Sequence, residues 1–240
     1  MRDRGPKPDL DGPHAGVSTL EAGRPLENAP AAAILLHGRG GSAEDILGLT
    51  RGLGEARLAY LAPQAADHAW YPESFLAPIE QNEPWLSSAL DVVRRLLDRL
   101  AEAGIPSERT LLLGFSQGAC LGLEFAARNG ARYGGVVGLA GGLIGAPGTP
   151  RDYPGSLEGT PIFLGCGDRD PYVPPERLEE TGEVLSRLGA TVTKRVYPGM
   201  GHMVNEDELG HVRRMASGLV GESEATFDRP DSSSTRKGET

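Results

Sequence analysis

The sequence lacks any run of about 18 apolar residues, so it predicts no membrane-spanning helix. Residues 1–13 are polar and rich in proline, and they lack the apolar stretch of a secretory signal. Basic residues are also few, with 24 Lys and Arg against 33 Asp and Glu. The net charge of −9 disfavours a broad nucleic-acid-binding face, which needs basic side chains. We therefore expect a cytoplasmic protein with neither integral membrane association nor a nucleic-acid partner.

Cysteine is scarce, and the two thiols, Cys120 and Cys166, both lie in apolar segments. This placement favours buried free thiols over a disulfide or a metal-binding pair. The 240 residues suffice for one α/β domain with a large core.

The two ends differ in composition from the middle of the chain. Residues 1–28 are rich in proline, glycine and charge, and residues 221–240 are polar. Low hydrophobicity leaves such segments unable to offset the entropy lost on ordering. We expect a disordered arm over 1–28, a folded domain over 29–220 and a disordered tail over 221–240.

Short apolar runs alternate with amphipathic segments through that domain. Residues 85–101, for example, carry apolar side chains at steps of three and four, the period of one helical face. Continuous apolar strands between such helices predict a mostly parallel central sheet with helices on both faces. The predicted strands are residues 31–36, 58–61, 110–113, 136–140, 161–166 and 191–196, and further helices are predicted over 175–188 and 205–220.

A Gly-x-Ser-x-Gly pattern spans residues 114–118, directly between a predicted strand and a predicted helix. In that position the pattern is typical of a nucleophile elbow, a sharp turn that exposes a reactive serine at the end of a strand. The glycines prevent collisions where strand and helix cross closely. Ser116 is therefore the predicted nucleophile.

A serine hydroxyl needs a base to accept its proton and a carboxylate to orient that base. His202 is the predicted base because it follows the last strand on a glycine-rich loop that can reach across the sheet. Asp168 and Asp170 both follow an earlier strand and precede His202 in the chain. Asp170 is the predicted acid, and Asp168 is interpreted as a turn residue bonded to its own loop.

Catalysis by serine also needs backbone N–H groups that bind the developing oxyanion. Gln117, directly after the nucleophile, and Arg39, on the glycine loop after the first apolar strand, are the predicted donors. Arg39 is expected to act through its backbone, not its guanidinium. The loop matches neither a dinucleotide-binding pattern nor a P-loop, which disfavours a nucleotide site.

Four motifs, at residues 36–41, 114–119, 168–174 and 201–202, together resemble the phospholipase/carboxylesterase family of α/β-hydrolases, which includes the acyl-protein thioesterases. The resemblance spans roughly residues 31–220 and implies the α/β-hydrolase fold. It also implies the roles above for Ser116, Asp170, His202, Arg39 and Gln117, with no metal or organic cofactor. Dienelactone hydrolases resemble the chain less, because their elbow carries cysteine.

The substrate pocket is predicted within a long irregular stretch that reaches about residue 83. Aromatic and apolar residues there could line an acyl pocket or merely anchor the loop, and two more follow a later strand. The segment 69–82 departs most from acyl-protein thioesterases, which places long-chain protein deacylation in doubt. The predicted pocket residues are Trp70, Tyr71, Phe75, Leu76 and Leu143, with Ile144 as a further candidate.

These residues favour a serine carboxylesterase that hydrolyses small carboxylic esters through an acyl-enzyme. A lysophospholipase or an acyl (protein) thioesterase is the alternative within the same chemistry. A binding protein that reuses the hydrolase fold is the non-enzyme alternative, since fold alone does not fix function. The expected partner is a small-molecule ester, and a homodimer stays an open option.

Overall fold

The computed structural model describes residues 12–53 and 57–221. Within these residues, seven strands form one sheet in the order β1-β3-β2-β4-β5-β6-β7, and five α-helices pack against it. The strands are β1 (Thr19–Gly23), β2 (Ala31–Leu36), β3 (Leu58–Pro63), β4 (Thr110–Phe115), β5 (Gly135–Leu139), β6 (Pro161–Gly167) and β7 (Thr191–Tyr197). The helices are α1 (Ala43–Gly48), α2 (Trp85–Glu102), α3 (Gln117–Arg128), α4 (Pro175–Arg187) and α5 (Glu206–Val220).

Strands β2 to β7 pair in parallel, and only β1 runs antiparallel, against β3. Successive side chains of a strand point to opposite faces of the sheet, so each buried apolar strand contributes to two hydrophobic cores. Along β2, Ala32, Ile34 and Leu36 face the helices α2, α3 and α4, while Ala31, Ala33 and Leu35 face α1 and α5. The prediction of a mostly parallel sheet with helices on both faces is confirmed.

The prediction of a disordered arm over 1–28 is wrong for residues 12–28. Residues 19–23 form β1, and its ladder with β3 supplies backbone hydrogen bonds that composition does not reveal. His14 is fully buried, where its Nε2 bonds the carbonyl of Trp70 at 2.9 Å and its Nδ1 accepts from the N–H of Ala66 at 3.1 Å. Residues 1–11 and 222–240 lie outside the described residues, so those parts of the prediction stay predictions.

Glycine allows β4 and α3 to cross closely at the elbow. A Cβ on Gly114 would collide with the backbone of Gly118, and one on Gly118 with the backbone of Leu36 in β2. Any other residue would push α3 away from the sheet. The turn between β4 and α3 is thereby fixed at the carboxyl edge of the sheet, where the loops after β2, β6 and β7 also meet.

Over residues 12–53 and 57–221, no helix is both long enough and apolar enough to cross a lipid bilayer.

Candidate active site

Ser116 sits at the turn between β4 and α3 with φ 55° and ψ −120°. Residues other than glycine rarely adopt such a positive φ, and backbone strain of this kind is typical of functional positions. The turn is held in place because the Ser116 N–H donates to the Leu139 carbonyl at 2.8 Å, and the N–H of Cys120 donates to the Ser116 carbonyl at 3.0 Å. The strained backbone presents the Ser116 hydroxyl to the cleft.

The Ser116 hydroxyl meets the imidazole of His202, with 2.8 Å between Oγ and Nε2. The other ring nitrogen, Nδ1, lies 2.7 Å from Oδ2 of Asp170. When Nδ1 carries the proton and donates it to the carboxylate, Nε2 is free to accept the serine proton. The three residues come from the loops after β4, β6 and β7, and the fold brings them into one hydrogen-bonded line.

The Asp170 carboxylate is fully buried, and hydrogen bonds to both of its oxygens hold it in position. Its second oxygen, Oδ1, accepts from the N–H groups of Tyr172 at 2.9 Å and Val173 at 3.2 Å. The imidazole lies between two rings, with centroids 5.1 Å from Phe115 and 4.9 Å from Tyr172 in an edge arrangement. Hydrogen bonds and packing therefore leave the imidazole little freedom to rotate.

Asp168 has a different task from Asp170. Its Oδ1 accepts from the N–H of Gly199 at 2.6 Å, and its own N–H donates to the Tyr197 carbonyl at 3.1 Å. Both partners belong to the segment that leads from β7 to His202. Asp168 lies in a turn, as predicted. Its carboxylate, however, bonds the neighbouring loop after β7 and not its own loop.

Arg39 and Gln117, the predicted oxyanion donors, both line the cleft beside Ser116. Their side chains hold a single segment of the opposite wall. The Gln117 carboxamide accepts from the N–H of Trp70 at 2.8 Å and donates to the carbonyl of Tyr71 at 2.7 Å. The Arg39 guanidinium donates to the carbonyls of Tyr71 at 2.8 Å, Pro72 at 2.8 Å and Glu73 at 2.6 Å.

The Tyr71 carbonyl thus accepts from both side chains. We call Arg39, Gln117 and the wall segment 70–73 the wall clamp. The sequence contained no signal for it, because its acceptors are backbone carbonyls that any residue could supply.

The cleft around Ser116 has a volume of about 590 Å³. Of the predicted pocket residues, Tyr71, Phe75 and Leu76 line it. Residues that sequence reasoning missed include Tyr172, which is 64% exposed at the rim, and Val173. The nearness of both to Asp170 in the chain was the signal that could have identified them.

The predictions of Trp70 and Leu143 as cleft residues are wrong. The Trp70 ring is fully buried between the rings of His14 and His37, and its indole N–H donates to the His37 carbonyl at 2.9 Å. Leu143 is fully buried in the core, as is Ile144. These residues anchor loops instead of facing substrate.

Cys120 and Cys166 are both buried and free, as predicted. Burial raises the pKa of the Cys120 thiol to about 12, although Cys120 contributes to the lining of the cleft. Burial, followed by the adjacent Asp170 carboxylate, raises the pKa of Cys166 to about 12. A thiol reacts as its thiolate, so neither cysteine is a suitable nucleophile near neutral pH.

A family model described as Phospholipase/Carboxylesterase matches residues 21–217. The chain belongs to the phospholipase/carboxylesterase family. Membership confirms the resemblance and the α/β-hydrolase fold, and it places the chain among the ester-hydrolysing serine hydrolases.

Individual relatives agree with the family. A crystal structure of a phospholipase/carboxylesterase from Dyadobacter fermentans has a TM-score of 0.82 and 39% identity, covering 88% of this chain and 100% of that one. Acyl-protein thioesterase 1 of Candida albicans is 28% identical over 227 residues, covering 85% of this chain and 98% of the thioesterase. Acyl-protein thioesterase 1 of Gibberella zeae is 35% identical over 120 residues. That match covers 49% of this chain and 51% of the thioesterase, so the chain matches about half the length of this relative.

Proposed function

We propose that this family member is a serine carboxylesterase that hydrolyses small carboxylic esters through an acyl-enzyme on Ser116. The observation that carries the proposal is the line of hydrogen bonds from Ser116 Oγ through His202 to the buried Asp170. His202 is the base, and Asp170 holds the imidazole in the required tautomer and stabilises the imidazolium.

In the first half-reaction, Oγ attacks the ester carbonyl while Nε2 of His202 takes the hydroxyl proton. The carbonyl oxygen becomes an oxyanion, which the backbone N–H groups of Arg39 and Gln117 bind. The tetrahedral intermediate collapses, the bond to the alcohol oxygen breaks, and His202 protonates the departing alkoxide. Ser116 now carries the acyl group as an ester.

In the second half-reaction, His202 removes a proton from water, and the hydroxide attacks the acyl-enzyme carbonyl. Collapse of this second intermediate releases the carboxylic acid, and the proton on His202 returns to Ser116 Oγ. The sum is one ester and one water converted to one acid and one alcohol. No step of this sequence requires a cofactor.

The volume of the cleft is compatible with a small ester substrate. Its volume of about 590 Å³ is within the range of pockets for small molecules, roughly 300–1,000 Å³. Tyr71 and Cys120, which contribute to its lining, are at most 2% exposed, and Phe75 and Leu76 add apolar wall. A small carboxylic ester fits this cleft, and the series of esters below measures which acyl length it prefers.

The decisive experiment compares the wild type with Ser116→Ala on p-nitrophenyl acetate. Loss of the nucleophile should lower kcat by a factor on the order of 10³ to 10⁶. A fluorophosphonate probe should label the wild type at Ser116 and leave Ser116→Ala unlabelled. Wild-type turnover by a correctly folded Ser116→Ala would overturn the mechanism.

Long-chain thioester or lysophospholipid hydrolysis is the second candidate, favoured by the nearly full-length match to the Candida albicans acyl-protein thioesterase 1. A kcat/KM profile over p-nitrophenyl esters of increasing acyl length separates the two. A maximum at short chains supports the carboxylesterase. A steep rise toward long chains supports the second candidate.

A further inference from the structure

A second cavity, of about 260 Å³, lies beside the loop that carries Arg39, and Arg39 contributes to the lining of both cavities. We call it the side cavity. Its apolar walls are Ile46 of α1, Leu49 just after α1, Phe115 at the end of β4 and Val204 between His202 and α5.

Two residues of the side-cavity lining, Gly38 and Phe115, lie close to Ser116 and His202. Gly38 lies in its wall, and a Cβ at this position would stand only 3.2 Å from Cβ of Ser116 and 3.3 Å from the Phe115 ring. A side chain there would therefore crowd the space between the side cavity and the nucleophile. Phe115 also packs on the imidazole of His202, with ring centroids 5.1 Å apart.

We propose that the side cavity binds the alcohol part of the ester, while the main cleft binds the acyl part. The inference rests on the proposed function, because His202 must protonate the departing alkoxide and the alcohol oxygen must then lie beside Nε2. Groups attached to that oxygen are directed past Phe115 and Val204, the apolar walls nearest His202. The acyl chain is left to the wall formed by residues 71–76.

The chemistry of the walls selects the class of alcohol. Apolar side chains favour an uncharged alkyl or benzyl group over methyl, because burial removes apolar surface from water. The one acidic group in the lining is the Asp45 carboxylate, which accepts from the Ser42 N–H and hydroxyl, both at 2.9 Å. Arg39, which carries a positive charge, contributes to the same lining, so the two charges offset each other and the apolar walls set the preference for the alcohol.

The test compares methyl, butyl and benzyl esters of butanoic acid, which share one acyl group. The measured quantity is the ratio of kcat/KM for the benzyl ester to kcat/KM for the methyl ester. In the wild type the ratio should be about tenfold or more in favour of benzyl, the discrimination typical of an apolar pocket. A wild-type ratio near one would overturn the inference.

Leu49→Trp and Val204→Trp fill the side cavity from two different segments and should each lower the ratio about tenfold. Leu47→Trp is the matched control, because Leu47 lies two residues before Leu49 and packs against the same core but is outside the lining of the side cavity. It should keep the wild-type ratio. An unchanged ratio in a folded Leu49→Trp or Val204→Trp, confirmed by thermal unfolding, would overturn the inference.

The two proposals fail in distinguishable ways. Absence of any ester cleavage that depends on Ser116 would overturn the proposed function and this inference with it. Cleavage that depends on Ser116, with equal losses for methyl and benzyl esters in the filled variants, would overturn this inference alone.

Discussion

Removal of the Arg39 guanidinium tests whether the wall clamp matters for catalysis. Arg39→Ala deletes three hydrogen bonds, to the carbonyls of Tyr71, Pro72 and Glu73, and keeps the backbone N–H that is proposed to bind the oxyanion. Activity should therefore fall, yet remain far above that of Ser116→Ala.

The magnitude follows from how exposed these bonds are. The bonds to Pro72 and Glu73 lie at the surface, where water can replace the lost donor, and the bond to Tyr71 is partly buried. The partly buried bond contributes about 1 kcal/mol and the two exposed bonds contribute less, so the three together stabilise the wall by at most about 3 kcal/mol. If all of it holds the transition state, kcat/KM falls at most about 100-fold, since about 1.4 kcal/mol is a factor of ten.

The assay is kcat/KM for p-nitrophenyl acetate and p-nitrophenyl butanoate. The butanoate should lose more, because its longer chain depends more on the wall that the clamp positions. Arg39→Lys should restore part of the activity, since an ammonium is a point donor without the planar fork. Wild-type kcat/KM on both esters in a folded Arg39→Ala would refute the reasoning.

Three further predictions concern loops, stability and pH. Asp168→Ala removes the acceptor for the Gly199 N–H and should lower kcat/KM about tenfold by loosening the His202 loop, and the ester assay above checks this. The buried Tyr71 hydroxyl has no nitrogen or oxygen partner among the described residues and faces only the Cys120 thiol, a weak hydrogen-bonding group, so Tyr71→Phe should leave the free energy of unfolding in urea unchanged or slightly higher. Burial lowers the pKa of His14 and His37 below 6.5, so both rings fold as neutral groups. Burial raises the pKa of Glu208 to about 7, which changes stability in the opposite direction, so the comparison is made in Glu208→Gln. Urea unfolding of this variant at about pH 7.5 and about pH 5 should show stability present above about pH 6.5 and lost as the pH falls through the lowered histidine values.

Each of those three can fail clearly. Equal kcat/KM in Asp168→Ala and the wild type would mean that the His202 loop keeps its position without the bond to Asp168. A loss of more than about 1 kcal/mol in Tyr71→Phe would reveal a partner for the hydroxyl. Equal unfolding free energies of Glu208→Gln at pH 7.5 and 5 would show that the histidines gain nothing from being neutral.

The meeting of Ser116, Asp170 and His202 could be predicted because the signals for these residues are local. Glycines lie two residues before and two residues after Ser116, and Asp170 and His202 each follow a predicted strand by a few residues. The parallel sheet then brings separate strand ends to one edge, so strand order alone places these residues near one another. Predicting that these residues lie near one another required no knowledge of individual side-chain contacts.

The pocket could be predicted only in part because neighbouring aromatics have opposite environments. Trp70 turns into the core between His14 and His37, whereas Tyr71 lines the cleft. The choice depends on His14, 56 residues away in the sequence. The polar segment around His14 has no hydrophobic pattern that would predict its burial. Strand β1 was not predicted for the same reason.

The meeting of two side chains on the Tyr71 carbonyl limits how substrate preference can change by mutation. Insertions or deletions within residues 70–73 would shift the acceptors of Arg39 and Gln117 together, so a new pocket shape would be accompanied by a slower reaction. Phe75 and Leu76 line the same cleft but lie beyond the clamped carbonyls. Evolution and engineering alike should find altered acyl preference first at these two positions, where pocket shape can vary without disturbing the residues proposed to bind the oxyanion.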